Sequence, residues 1–126
     1  MEHKSKTKVC KELGIPTYET AVIYHDYFDS MAVYYHDTAI ATIWGNGKVK
    51  IDNGGWHTQT TKRRINAILD ALGLPYSIVQ RDYIWYLCDH RNGTETQLVF
   101  GKPNWNGATP GIYFDTNTKE LLPQGE

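Results

Sequence analysis

One stretch of this 126-residue sequence has the periodicity of an amphipathic helix, and every other patterned stretch is typical of a β-strand. Its apolar positions recur at i, i+3, i+4 and i+7, namely Ile65, Ile68, Leu69 and Leu72. Such a stripe predicts a helix that lies with one face on a sheet. Thr60 or Thr61 is the expected N-cap, and Gly73 followed by Pro75 is expected to end the helix. We therefore predict a helix over about residues 62–72.

The remaining patterned segments are short, rich in β-branched and aromatic residues, and separated by turn formers. They span residues 21–24, 31–35, 38–44, 48–52, 76–79, 84–88, 97–100 and 112–115. Asn46-Gly47 marks the clearest hairpin, because this pair suits the backbone angles of a tight turn. After it Val49 and Ile51 alternate with lysines, which indicates a sheet with one wet face. Strands interrupted by a single helix predict an α+β fold, with a mainly antiparallel sheet of about six or seven strands and one helix packed on it.

Length and composition limit the class of protein. A chain of 126 residues suits a single domain, in which the charged residues 1–12 are expected to form a flexible tail or a short helix. With 13 Lys+Arg against 14 Asp+Glu, a protein that coats DNA non-specifically is not expected. No apolar run approaches the roughly 20 residues of a spanning helix, so no membrane partner is expected. Cys10 and Cys88 belong to no metal or redox motif.

Residues 36–86 contain four motifs that occur together. They read HDTAIA at 36–41, GGWHTQTTKRRIN at 54–66, VQ at 79–80 and WY at 85–86. This set resembles a family of small tailed-bacteriophage proteins that share a GGW-x-T-x-TTK-x-R-x-N core. The resemblance covers about half of the chain and implies a phage gene product that works in the cytoplasm of the host. It implies a biological setting and no particular chemistry.

The start of the predicted helix is the first candidate site. Lys62, Arg63 and Arg64 are expected in its first turn, where a cation costs around 0.3–1 kcal/mol because the unpaired N–H groups are already partly positive. These cations therefore suggest a role other than helix stability. Free N–H groups, threonine hydroxyls and cations together suit a phosphate, and a tryptophan beside them can stack on a base. The predicted ligand-binding residues are Trp56, Thr58, Thr60, Thr61, Lys62, Arg63, Arg64 and Asn66.

The same segment also admits a purely structural interpretation. The threonines can cap the helix, and Trp56 can seal the edge of the core. Arg63, Asn66 and Asp70 can share a solvated outer face on which exposed charges contribute little. Both interpretations remain open at the level of sequence.

Aromatic side chains form a second candidate surface. Tyr34, Tyr35 and Trp105 are the predicted interface residues, because Tyr and Trp provide contact area at a low entropy cost. Trp105 can equally pack its own loop, residues 101–111, against the domain. An exposed strand edge together with surface tyrosines would also make a homodimer unsurprising.

Catalytic motifs are absent from the sequence, including HExxH, Walker A, GxSxG and Cys/His zinc patterns. We therefore expect no enzyme and no cofactor. A small metal-dependent hydrolase that uses His36, Asp37, Asp52 and His57 is the third hypothesis.

The sequence as a whole predicts a small phage accessory protein of the host-takeover or counter-defence type. Its predicted action is stoichiometric binding of a phosphate-bearing ligand, either nucleic acid or nucleotide, at a helix start. The alternative is a protein–protein inhibitor or adaptor of a host defence factor, of the anti-CRISPR type, that acts through an aromatic surface.

Overall fold

The computed structural model describes residues 1–55, 58–98 and 111–123, and these form two α-helices and nine β-strands. The elements are α1 (Lys6–Leu13), β1 (Thr20–His25), β2 (Ser30–Tyr35), β3 (Thr38–Trp44), β4 (Lys48–Ile51), α2 (Gln59–Ala71), β5 (Tyr76–Arg81), β6 (Ile84–Asp89), β7 (Glu95–Gln97), β8 (Ile112–Asp115) and β9 (Glu120–Leu121). Six strands form one antiparallel sheet in the order β1-β2-β3-β4-β8-β9, and the other three form a second sheet in the order β5-β6-β7. The predicted α+β class and antiparallel pairing are confirmed.

The strand pattern differs from the prediction in three respects. The strands belong to two sheets and not to one, and β9 is an additional strand. The strand expected over 97–100 lies at 95–97 as β7, and Val99 and Phe100 lie outside the described residues. No helix in the described ranges is long and apolar enough to cross a membrane.

The core lies between one face of the six-stranded sheet and a layer made of α1, α2 and the small sheet. Its largest fully buried side chains are Trp85, Phe114, Ile40, Ile51, Ile65, Ile68, Leu69 and Ile78. Tyr76 of β5 joins the two sheets, because its ring lies 5.1 Å from that of Phe114 in β8. Complete burial of one such side chain stabilises the fold by about 1.5–3 kcal/mol.

The beginning of α2 lies earlier than predicted. Thr58 is the N-cap, and its hydroxyl accepts a hydrogen bond from the Thr61 N–H at 3.2 Å. The helix therefore begins at Gln59. Lys62 donates the first backbone bond of the helix, to the Thr58 carbonyl at 3.1 Å. The prediction that the three cations lie in the first turn is therefore wrong, since Lys62, Arg63 and Arg64 lie in the second.

The apolar stripe and the end of α2 agree with the prediction. Three of its four stripe positions, Ile65, Ile68 and Leu69, are fully buried. Gly73 has φ 71°, and its N–H donates to the Asp70 carbonyl at 2.9 Å. Leu74 N–H donates to the Leu69 carbonyl at 3.0 Å, which completes a Schellman motif.

The N-terminal segment is a helix anchored to the domain. Ser5 caps α1 by accepting from the Lys8 N–H at 3.2 Å. The apolar side of the helix is buried, with Val9, Cys10 and Leu13 in the core. Helix α1 thus lies in the segment for which a flexible tail or a short helix is predicted, and its apolar residues pack in the core.

Asn66 joins α2 to the outer edge of the small sheet. Its side-chain amide accepts from the Ile78 N–H at 2.6 Å and donates to the Ile78 carbonyl at 2.9 Å. The expected position of Asn66 on a solvated outer face is therefore wrong. Its amide replaces the neighbouring strand that β5 lacks on this side.

Asn66→Ala is expected to lower the free energy of unfolding by about 1–3 kcal/mol, because it leaves both Ile78 backbone groups without a partner. Urea unfolding measures this change. Asp70→Ala on the same helix is the matched control, since Asp70 is exposed, and a change within about 0.5 kcal/mol is expected. Equal unfolding midpoints for the two variants would contradict a stabilising role of the Asn66 amide.

A candidate ligand pocket at the start of helix α2

A cavity of about 340 Å³ lies where the start of α2 meets the turn between β2 and β3. The residues that line it are Tyr35, His36, Asp37, Thr38, Thr58, Thr60 and Thr61. Three predicted ligand-binding threonines are thus brought together, and residues 35–38 provide the opposite wall. The volume is within the range of small-molecule sites. We call this cavity the α2 pocket.

The first turn of α2 provides unused hydrogen-bond donors beside the α2 pocket. The Thr58 hydroxyl is already engaged, since it accepts from the Thr61 N–H and lies 2.9 Å from the Thr61 hydroxyl. The N–H groups of Gln59 and Thr60, and the Thr60 hydroxyl, have no partner among the described residues. Such groups carry the partial positive charge of a helix N-terminus. This wall of the pocket is therefore suited to an anion.

The turn between β2 and β3 forms the opposite wall. His36 has φ 54°, a left-handed conformation that few residues other than glycine adopt. Its Nε2 lies 2.6 Å from the Glu19 carboxylate. Glu19 also accepts a hydrogen bond from the Tyr18 hydroxyl, which raises the pKa of Tyr18. Asp37 is exposed and has no ion pair within the described ranges, so it brings one uncompensated carboxylate to the pocket.

Gly54 lies directly behind this wall. It has φ 60°, and a Cβ at this position would lie 2.6 Å from Thr38 Oγ1. The Gly54 backbone thus closely approaches a side chain of the protein itself. Any larger residue at position 54 would displace Thr38 from the pocket wall.

Arg64 lies beneath the pocket and contacts the chain that leads into β1. It is only 4% exposed. Its guanidinium donates to the Tyr18 carbonyl at 2.7 Å, to the Pro16 carbonyl at 3.4 Å and to the Thr20 hydroxyl. It also lies over the ring of Tyr35, with 4.2 Å between the guanidinium carbon and the ring centroid. The side chain is thus engaged within the fold.

The charge of Arg64 has no carboxylate partner among the described residues. Its contacts among the described residues are all to neutral groups, and its Nε has no hydrogen-bond partner there. A buried cation without a counter-ion is costly. Tyr35 touches Arg64 and also lines the α2 pocket, so this positive charge lies close behind the pocket wall.

The other predicted ligand residues are placed as follows. Lys62 and Arg63 form no ion pair within the described part of the chain, so the pairing of Arg63 with Asp70 is absent. Asn66 is engaged by β5. Trp56 lies outside the described residues.

The predicted aromatic surface is divided between the two faces of the large sheet. Tyr35 faces the core side, whereas Tyr34 faces the opposite side, which we call the open face. Tyr34 there lines a groove of about 380 Å³ together with His25, Phe28, Ser30, Ala32, Ala39, Thr42 and Trp44. Lys48 lies beside it, with its Nζ 4.6 Å from the centroid of Tyr113 and 5.6 Å from that of Trp44. Trp105 lies outside the described residues.

The metal-site hypothesis gains no support from the described residues. No group of three His, Cys, Asp or Glu side chains comes together there. Asp52 is buried and accepts from the Gly54 N–H at 3.0 Å. His57 lies outside the described residues.

Residues 36–38 are the part of the pocket that sequence reasoning did not assign to ligand binding. The sequence indicates His36 and Asp37 as candidate metal ligands and Thr38 as the start of a strand. A turn between two strands is recognisable in the sequence, but its position against α2 depends on contacts between residues about 20 apart in the chain.

A family model described as Kyanoviridae Gp96 protein matches residues 1–109. No curated protein and no solved structure matches the chain.

Arg64→Ala is expected to lower the free energy of unfolding by about 2–4 kcal/mol, because hydrogen bonds from a charged donor are lost and buried acceptors remain unpaired. Arg63→Ala is the matched control, since Arg63 is exposed and free of ion pairs in the described ranges. Its change is expected to stay within about 0.5 kcal/mol. Urea unfolding of both variants measures the difference, and similar losses would contradict a special role of Arg64.

Proposed function

We propose that this chain, which belongs to the Kyanoviridae Gp96 family of phage proteins, binds a phosphate-bearing ligand stoichiometrically in the α2 pocket. It would act as an accessory protein in the cytoplasm of the host cell. The observation that carries the proposal is the α2 pocket itself, which has unused donors on one wall and an uncompensated buried cation behind another.

A phosphate would provide the hydrogen-bond acceptors and the negative charge that complement this pocket. Its oxygens would accept hydrogen bonds from the N–H groups of Gln59 and Thr60 and from the Thr60 hydroxyl. Its negative charge would interact favourably with the N-terminus of α2 and with Arg64. Arg64 would act through the electrostatic potential and by positioning Tyr35, without touching the ligand.

A nucleotide suits the pocket better than a nucleic acid does. A cavity of about 340 Å³ accommodates a small ligand and not a duplex. The negative charge of Asp37 would repel a second phosphate group. Its carboxylate is, however, well suited to accept hydrogen bonds from the hydroxyls of a ribose. A nucleoside monophosphate therefore fits the charges of both walls.

Thr60→Val is expected to weaken binding of a nucleoside monophosphate roughly 10- to 150-fold, because it removes one hydrogen bond to a charged group, worth about 1.5–3 kcal/mol. Isothermal titration calorimetry at low ionic strength measures the affinity. Thr96→Val, at an exposed position in β7, is the control and should leave the affinity unchanged.

Asp37→Asn distinguishes the contribution of the phosphate to binding from that of the ribose. Removal of a negative charge should strengthen the binding of inorganic phosphate, whereas loss of a ribose acceptor should weaken the binding of the nucleotide. If neither probe binds the unmodified protein at millimolar concentration and low salt, the proposed function is wrong.

A second candidate function is inhibition or recruitment of a host protein through the open face. The observation in its favour is the groove lined by the aromatic residues Tyr34, Phe28 and Trp44 together with small side chains such as Ala32 and Ala39. A groove lined by aromatic and small residues can receive an inserted side chain of a partner.

The second candidate predicts that the tagged protein recovers a stoichiometric partner from host lysate after nuclease treatment. Tyr34→Ala should abolish the recovery, while Tyr83→Ala, at an exposed tyrosine outside the groove, should preserve it. Equal recovery with both variants would exclude the groove as the contact.

A further inference from the structure

The two sheets have four outer strands, and three of them are protected against further pairing. β9 has only two residues. β7 has three exposed residues, and its Glu95 pairs with Arg81. The amide of Asn66 occupies the outward backbone groups of Ile78 in β5. Natural sheets commonly protect their edges by shortness, charge or cover of this kind.

β1 lacks such protection along its outer backbone, and the N-terminal segment contacts it through the Tyr24 side chain, which forms hydrogen bonds with the Lys4 backbone and stacks on His3. The strand has six residues, Thr20–His25, and contains no proline, lysine, arginine or carboxylate. A long, uncharged outer strand of this type is a template for pairing with another strand.

The alternation of hydrogen bonds between β1 and β2 identifies the backbone groups of β1 that point away from β2. Glu19 and His36 are a hydrogen-bonded pair, since the His36 N–H donates to the Glu19 carbonyl at 3.1 Å. Alternate residues of an antiparallel strand face the same neighbour, so those of Val22 and Tyr24 face outward. These outward N–H and C=O groups have no backbone partner among the described residues.

Exposed apolar side chains concentrate around the same edge. Of the eight large hydrophobic residues that are exposed in the described ranges, Tyr18, Ile23, Tyr27 and Phe28 lie within residues 18–28. Ile23, 44% exposed, lies at the centre of this segment, and the aromatic rings lie at its two ends.

We propose that β1 pairs antiparallel with β1 of a second copy of this chain, about a two-fold axis at Ile23. In this register Val22 of each copy exchanges two hydrogen bonds with Tyr24 of the other, so the four outward groups of these two residues are satisfied in each copy. Ile23 of one copy faces Ile23 of the other in a non-hydrogen-bonded pair. The two six-stranded sheets become one continuous sheet of twelve strands.

A second copy fits this edge better than an unrelated strand because the edge is complementary to itself. The two-fold axis brings the end that carries Tyr18 beside the partner's end that carries Tyr27 and Phe28. These rings add apolar contact area that the backbone bonds alone do not supply. No charged side chain of β1 is placed against its own copy. The inference does not rest on the α2 pocket, whose described lining residues lie outside β1.

The oligomeric state tests the inference. Light scattering after gel filtration should give twice the 14.4 kDa mass of one chain. Ile23→Lys should give the mass of a single chain, because two cations would meet at the axis. Ile84→Lys, at an exposed isoleucine on the small sheet, is the control and should stay dimeric. A single-chain mass for the unmodified protein at high micromolar concentration would overturn the inference.

A crosslink tests the register. Cα atoms in a non-hydrogen-bonded pair lie about 4.5 Å apart, within the range of a disulfide. Ile23→Cys should therefore form a covalent dimer on mild oxidation, whereas Ile84→Cys and the unmodified chain should not. If the protein is a dimer but Ile23→Cys does not crosslink it, the two copies pair through another surface and the inference is wrong.

Discussion

The buried guanidinium of Arg64 is the interaction on which the arrangement of this molecule depends. It extends from α2 to the carbonyls of Pro16 and Tyr18 and to the hydroxyl of Thr20, where the chain enters β1, and it stacks on Tyr35 of β2. One side chain thus connects the helix to the outer two strands of the large sheet. The start of α2 is thereby placed against the turn between β2 and β3, and the α2 pocket is the space between them. Among the described residues the guanidinium has only neutral partners, so no carboxylate there offsets its positive charge.

The large sheet separates the two candidate surfaces by the alternation of its side chains. Neighbouring residues of a strand point to opposite faces, so Tyr34 lines the open groove while Tyr35 lines the α2 pocket. Two adjacent tyrosines therefore belong to different sites. β1 borders the same sheet, and the described lining of the α2 pocket includes no residue of β1. Ligand binding and self-association can therefore be tested with separate variants.

Most of the local structure could be predicted from the sequence, because it depends on residues close in the chain. The stripe of α2, its Gly73 ending and the strand positions follow from periodicity and from glycine's access to positive φ. The N-cap was placed two or three residues too late, because Thr58, Thr60 and Thr61 can each cap a helix. The choice of Thr58 follows from packing, which buries Thr61. The threonine wall of the pocket was predicted for the same local reason, whereas the wall formed by residues 36–38 depends on long-range contacts.

By itself, the sequence determined the fold class, the amphipathic helix and the clustering of three cations near its start. Only the tertiary structure decided what each cation does. Arg63 and Arg64 are identical in type and adjacent in sequence, but consecutive side chains of an α-helix are rotated by about 100°. That rotation leaves Arg63 in solvent and turns Arg64 into the core, where it meets the carbonyls near β1. The same rotation turns Asn66 to the edge of β5. A pattern of residue types does not contain this distinction, because it depends on which elements pack against each side of the helix.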